Sequence, residues 1–219
     1  MLILQPLGDQ AVLASCADET TALGLSAALH RTAPPWLIDV VQAYTSVAAF
    51  FDPNHIRYAA AAAFVRGLAA AAEKDGTVEG TRHRIPCCYE FQLDIARVTE
   101  HTGRGAEEVI RLHTTTEYTV YAIGFCPGFP YLGYLPVPLC GVPRLPSPRL
   151  RVEVGSVGLT GRQTGIYTEP RPGGWNLIGR TPLTLVDVAE AYFPLRTGDR
   201  VRFERVDDAE YRRLEGERL

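Results

Sequence analysis

Several absences bound this 219-residue chain before any motif is read. Lys74 is the only lysine, set against 21 arginines, so individual arginines cannot all be read as functional. The five cysteines (Cys16, Cys87, Cys88, Cys126, Cys140) are an odd number with no C-x-x-C pair. That pattern predicts reduced thiols in a cytoplasmic protein. No apolar run is long enough to span a bilayer, since the alanine-rich stretch 59–72 is broken by Arg66 and Gly67. The start, MLILQPLGDQ, has neither a basic region nor a long apolar core, so no signal peptide is expected. A net charge of −3 argues against a general nucleic-acid binder. No H-x-H or H-E-x-x-H spacing occurs, so no metal site is expected. Ser156 lies in G-S-V-G rather than G-x-S-x-G, and no residue set announces a triad.

What is present divides into two parts. With 46% hydrophobic and 21% charged residues the chain reads as globular. Residues 1–78 predict a small α+β domain: a strand at 11–15, a helix at 19–31, strands at 37–44 and 46–51, and an alanine-rich helix at 55–73 with Pro53 near its start. The order β-β-α-β-β-α places two helices on a small antiparallel sheet. A polar turn at 74–77 sets the boundary near residue 78. Residues 79–219 begin with a strand at 82–89 and helices at 93–101 and 106–113, and a strand follows at 118–123. Short runs at 152–154, 157–159, 165–167, 175–178, 183–188 and 200–205, punctuated by Gly and Pro, predict a mainly-β barrel or sandwich.

The densest signal is 124–182, where Gly, Pro, aromatic residues and Arg crowd together. Gly and Pro at this density fix backbone shape residue by residue, which suits a binding surface. The stretch GWNLIGRT (174–181) approaches a P-loop with Arg180 in place of Lys. A P-loop must join a strand to a helix; here Pro182 follows at once and a strand-like run continues, so a barrel strand with Arg180 facing a groove is preferred. Phe129 and Tyr131, among prolines and glycines, read as a rigid lid or as a wall for a small polar ligand, with Trp175 as a further apolar wall. Arg144, Arg149 and Arg151 form a basic cluster whose guanidinium forks suit carboxylate or phosphate, or simply line a solvated loop. Gln163 and Thr164 read as a tight hairpin turn or as groups that orient an amide. His113 ends a helix and reads as a helix-end or core residue, with proton transfer as the lesser alternative.

The segments GFCPGFPYLGYL, GSVGLTGRQTGIY and PGGWNLIGRTPL together resemble the family known as KipI, allophanate hydrolase subunit 1 or 5-oxoprolinase component B (PxpB). The likeness continues through HRIPCCYE, EEVIRLHTTTEYTVYAIGF and PLRTGDRVRF, and through GDQAVL and AYTSVAAFFDP in the first domain. Arg162 stands where the family commonly has Gly, and Thr168 where it commonly has Pro. The resemblance implies a small α+β N-terminal domain followed by a cyclophilin-like β-barrel. It also implies two partners in 5-oxoprolinase: a KipA-like component C, and a further protein, component A.

The activity implied is ATP-dependent opening of 5-oxoproline to glutamate in a composite site, with the isolated chain inactive. Amide resonance protects a lactam, and phosphorylation of its oxygen by ATP makes it an electrophile. Such a site needs cationic donors and positioning groups rather than a Ser or Cys nucleophile. Arg144, Arg149 and Arg180 are then anion binders, Gln163 and Thr164 orient the amide, and Phe129, Tyr131 and Trp175 wall it. His113 is a weaker candidate for proton transfer, and the ATP site on this chain is unassigned. Alternative implications are inhibition of a sensor histidine kinase, and a carboxyltransferase-type role on urea or a related amide. The biotin-carrier M-K-M motif is absent, so biotin in that case would come on another protein.

Overall fold

A computed structural model describes residues 2–75 and 80–219. The chain divides into two compact units, Met1–Glu79 and Gly80–Leu219. The boundary expected near residue 78 lies outside the described residues.

The first unit runs β1 (Ile3–Pro6), β2 (Ala11–Ser15), α1 (Glu19–Thr32), β3 (Leu37–Ala43), β4 (Ser46–Phe51) and α2 (Tyr58–Asp75). Its strands pair antiparallel in the order β1-β2-β4-β3. The Asp18 carboxylate caps α1 by accepting the Thr21 amide at 2.8 Å, which satisfies one of the orphan donors of a helix start. Leu25 and Leu29 of α1 and Ala61, Val65 and Ala69 of α2 share one core with Val12, Val47 and Phe51 of the sheet. α2 starts three residues later than its alanine pattern predicts. Asp52 holds the preceding turn open by accepting the Asn54 amide at 2.9 Å and pairing with His55 Nδ1 at 2.8 Å.

The second unit contains β5 (Arg82–Cys88), α3 (Ile95–Thr102), α4 (Ala106–Thr115), β6 (Glu117–Ile123), β7 (Pro130–Gly133), β8 (Arg149–Val152), β9 (Ser156–Thr160), β10 (Gln163–Ile166), β11 (Arg171–Gly173), β12 (Asn176–Arg180), β13 (Arg200–Val206) and α5 (Asp208–Leu214). Seven strands pair in the order β6-β13-β5-β12-β9-β10-β7, and β7 pairs back to β6, which closes a barrel. The β5–β13 pair is parallel and in register from Arg82↔Arg200 to Cys88↔Val206. Alternate residues point inward, so Ile85, Val120, Leu132, Val157, Ile178 and Phe203 meet in one core. β8 and β11 form a separate two-stranded ribbon.

Four local expectations change. The run 183–188 is not a strand; it makes only isolated bridges, Thr184 to Arg218 and Asp187 to Tyr192, because Asp187 and Tyr192 fold back on each other. The segment read as a lid contributes β7, a barrel strand. Gln163 and Thr164 sit in β10 rather than in a turn, since the reversal falls one step earlier, at Gly161 with φ 57° and Arg162. The strand expected at 152–154 is the end of β8, and Gly155 at φ 80° makes the turn that follows. All five cysteines are free thiols. Among the described residues no helix is long and apolar enough to cross a membrane.

Candidate functional site

The Gly- and Pro-rich stretch lines several cavities in the second unit, and two of them gather most of the candidate residues. The first, of about 320 Å³, is walled by Phe125, Phe129, Tyr131, Tyr167 and Trp175, with Arg144 among its lining residues. The rings meet edge to face: Phe129 lies 5.3 Å from Tyr167 and 5.5 Å from Trp175, and Tyr131 lies 5.9 Å from Trp175. Edge-to-face packing favours each ring's quadrupole and stiffens the wall. Two glycines make room for it. A Cβ on Gly165 would sit 2.8 Å from the Pro130 carbonyl and 3.0 Å from both Phe129 and Trp175. A Cβ on Gly173 would run into the Tyr167 hydroxyl. Phe125 holds the left-handed φ of 68° and leaves its ring 56% exposed. Burial pushes the phenols of Tyr131 and Tyr167 above their ordinary value, so both stay protonated donors at neutral pH.

The loop carrying Arg144 is pinned from below. Buried Asn176 donates through Nδ2 to the carbonyls of Pro143 (2.9 Å) and Leu159 (3.2 Å). Its Oδ1 accepts from Arg97 Nε at 3.0 Å, and the Leu145 amide donates to the Gly174 carbonyl at 2.7 Å. Thr168 ties down the GFCPGF loop by donating to the Pro127 carbonyl at 2.7 Å. Arg162 lies over the Tyr134 ring, 4.3 Å from its centroid.

A second cavity, of about 210 Å³, includes Arg149, Arg151, Arg180, Ser156, Phe91 and Leu93 in its lining. Arg149 Nη2 donates to Asp94 at 2.6 Å, and Asp94 also accepts the Leu177 amide at 2.7 Å. Arg180 commits Nε to the Val154 carbonyl at 2.9 Å. The arginines expected to act together are therefore divided: Arg144 joins the rings, while Arg149 and Arg180 share the basic cavity.

His113 and Thr164 belong to neither cavity. The His113 ring is fully buried, with Nδ1 paired to the Tyr89 hydroxyl at 2.7 Å and Nε2 to Thr164 Oγ1 at 3.0 Å. It stacks on Phe203 at 4.5 Å, and burial pushes its pKa down to about 3. His113 thus lies in the core as a neutral group, with both ring nitrogens engaged and apart from both cavities. Thr164, also buried, donates to the Gly158 carbonyl at 2.9 Å, so its hydroxyl is used inside the barrel. Gln163 lies half-buried at the start of β10. Tyr167, Asn176, Arg97 and Asp94 are site residues that sequence reading did not single out. Only Tyr167, an aromatic residue two positions after Gly165 in GIY, carried a local signal.

The profile of the carboxyltransferase domain, subdomain C and D, matches residues 2–195. A relative from Bacillus subtilis (strain 168), component B of 5-oxoprolinase, is 36% identical over 95% of this chain and 94% of its own length. The chain belongs to the 5-oxoprolinase component B (PxpB) family. Among solved structures, TTHA0988 matches with a TM-score of 0.79 and 35% identity, over 90% of this chain. The match spans 40% of TTHA0988, well under half of that longer protein. The K. lactis urea amidolyase matches with a TM-score of 0.73 at 18% identity, over 97% of this chain and 15% of its own, a likeness of fold alone.

Proposed function

We propose that this chain is component B of an ATP-dependent 5-oxoprolinase, converting 5-oxoproline, ATP and water to glutamate. It contributes half of a site completed by a KipA-like component C, with component A as a third protein of a cytoplasmic assembly. The barrel is read as cyclophilin-like. The observation that carries the proposal is the ring-walled cavity with Arg144 at its lining. A lactam presents two flat apolar faces, one amide and one carboxylate. Flat faces suit the rings of Trp175, Tyr131 and Phe129, and a guanidinium fork suits the carboxylate.

When bound, ATP supplies the phosphoryl group that activates the lactam oxygen. The work of this chain is positional: the rings hold the heterocycle and keep water from its faces, and Arg144 sets its orientation. The protonated phenols of Tyr131 and Tyr167 offer hydrogen bonds toward the amide oxygen. His113, with both nitrogens engaged in the core, has no part in this scheme. Leu93 is 69% and Leu150 92% exposed beside the basic cavity, and apolar side chains left open there support a surface covered by a partner protein.

The test is glutamate release from 5-oxoproline and ATP by this chain mixed with its two proposed partners, with a control lacking this chain. Release that requires all three supports the assignment. No release from a folded, complete mixture overturns it in favour of another small amide, the role that the carboxyltransferase profile favours as a second reading, or of kinase docking.

A further inference from the structure

The basic cavity has features that the packing of the barrel does not need. Arg149 Nη1 is buried with no hydrogen-bond partner, although Nη2 of the same group is bound to Asp94. A buried guanidinium N–H without an acceptor is costly and calls for an explanation. Arg180, in the same lining, uses Nε on the Val154 carbonyl, and its two Nη atoms hydrogen-bond to no described residue. Ser156, 6% exposed, adds a hydroxyl to the lining. The acid in the lining, Glu153, is already held by Arg151 at 2.7 and 3.3 Å, and Asp94 is occupied by Arg149 and the Leu177 amide. The lining therefore carries three guanidinium groups against one carboxylate. Donors outnumber acceptors in this lining.

We infer that this cavity is an oxyanion site that takes a tetrahedral phosphate group between Arg149 and Arg180. Its volume of about 210 Å³ falls below the roughly 300–1,000 Å³ of sites for drug-sized ligands. It therefore suits a single phosphate group rather than a whole nucleotide. Planar forks aimed at several oxygens suit phosphate better than a point charge would. The group is either free inorganic phosphate or the terminal phosphate of a nucleoside triphosphate whose remainder lies outside. Pro148 lines the aromatic cavity and Arg149 the basic one, so the two sites are neighbours at the start of β8. Phosphate binding rests on this cavity alone; a role in turnover rests on the proposed function.

The experiment is ³¹P NMR titration of the full chain with inorganic phosphate and, separately, with ATP. Line broadening and shift in the wild type are expected. Arg180→Gln should weaken binding about ten- to a hundredfold, the span of one or two charge-assisted hydrogen bonds. Arg180 is chosen because Arg149→Ala would strand the Asp94 carboxylate and risk misfolding; Arg151→Gln serves as a folded charge control with a smaller effect. Broadening of the γ resonance of ATP with weaker inorganic phosphate binding identifies the nucleotide as source; the reverse identifies free phosphate. Absence of binding to both at millimolar concentration, or binding unchanged in Arg180→Gln, overturns the inference. Arg144→Gln, an exposed change in the lining of the aromatic cavity alone, should leave phosphate binding unchanged while weakening 5-oxoproline binding. A failure of the lactam reading would therefore not be mistaken for failure of the phosphate site.

Discussion

Two cavities meet at the Pro148–Arg149 step, and they are built in opposite ways. The walls of the aromatic cavity are core residues: Phe129, Tyr167 and Trp175 are buried in one cluster with Val152 and Leu177. The basic cavity is made by charged side chains that reach in from the ribbon and from the end of β12, with Asp94 behind them. In the first, recognition and folding draw on the same atoms. In the second, charge can be changed without opening the core. Mutation of the ring wall should therefore cost binding and stability together, whereas mutation of an exposed arginine should cost binding alone.

The largest effect is expected where the two are fused. Trp175→Ala should destabilise the chain by about 3–5 kcal/mol, the usual range for emptying a buried aromatic position, as read from urea unfolding. It should also abolish 5-oxoproline-dependent turnover in the complete mixture. A loss below about 1 kcal/mol would mean that the ring wall is not part of the core. An intermediate effect comes from the core behind that wall, where Thr164, next to Gly165, holds His113. The pKa of His113 is 6.5 for the free side chain and about 3 in the fold. The unfolded chain thus takes up a proton between these values and the folded chain does not. The stabilisation is complete above pH 6.5 and is lost as pH falls toward 3, at up to about 1.4 kcal/mol per pH unit. Chemical denaturation between about pH 7 and pH 4 should show this slope, and His113→Gln should flatten it; an unchanged slope would place the titration elsewhere. The smallest stability change belongs to Arg144, which is exposed. Arg144→Gln should shift stability by no more than about 0.5 kcal/mol while raising the KM for 5-oxoproline about tenfold or more. Equal loss of stability and activity would contradict the separation drawn here.

Much of this arrangement was legible in the sequence, for reasons that differ by element. The first unit's helices follow from apolar and alanine-rich spacing, because that signal is local. The barrel strands between 156 and 180 follow from Gly and Pro punctuation, although their ends shift by one or two residues. β7 stayed hidden because PYLG borrows its strand character from pairing with β6 and β10, not from β-branched residues. The three ring-wall residues expected from sequence, Phe129, Tyr131 and Trp175, do come together. The grouping of arginines did not follow, because their partners lie far along the chain: Asp94 is 55 residues from Arg149, and Arg97 is 79 from Asn176. Two readings of His113 stayed open because a helix-end histidine has the same sequence whether its ring faces water or Phe203.

The parallel pairing of β5 with β13 has a consequence for how this protein is made. It binds residues 82–88 to residues 200–206, so the barrel seam joins the first and last strands of the unit. During synthesis from the N-terminus, β5 waits for its neighbour until residues 200–206 have been made. Contacts of such sequence separation form slowly, because loop-closure entropy precedes their reward. Both cavities rest on strands that this seam holds in place. A nascent or truncated chain ending before residue 200 would therefore carry every ring and arginine of the two cavities and still have no site to offer a ligand.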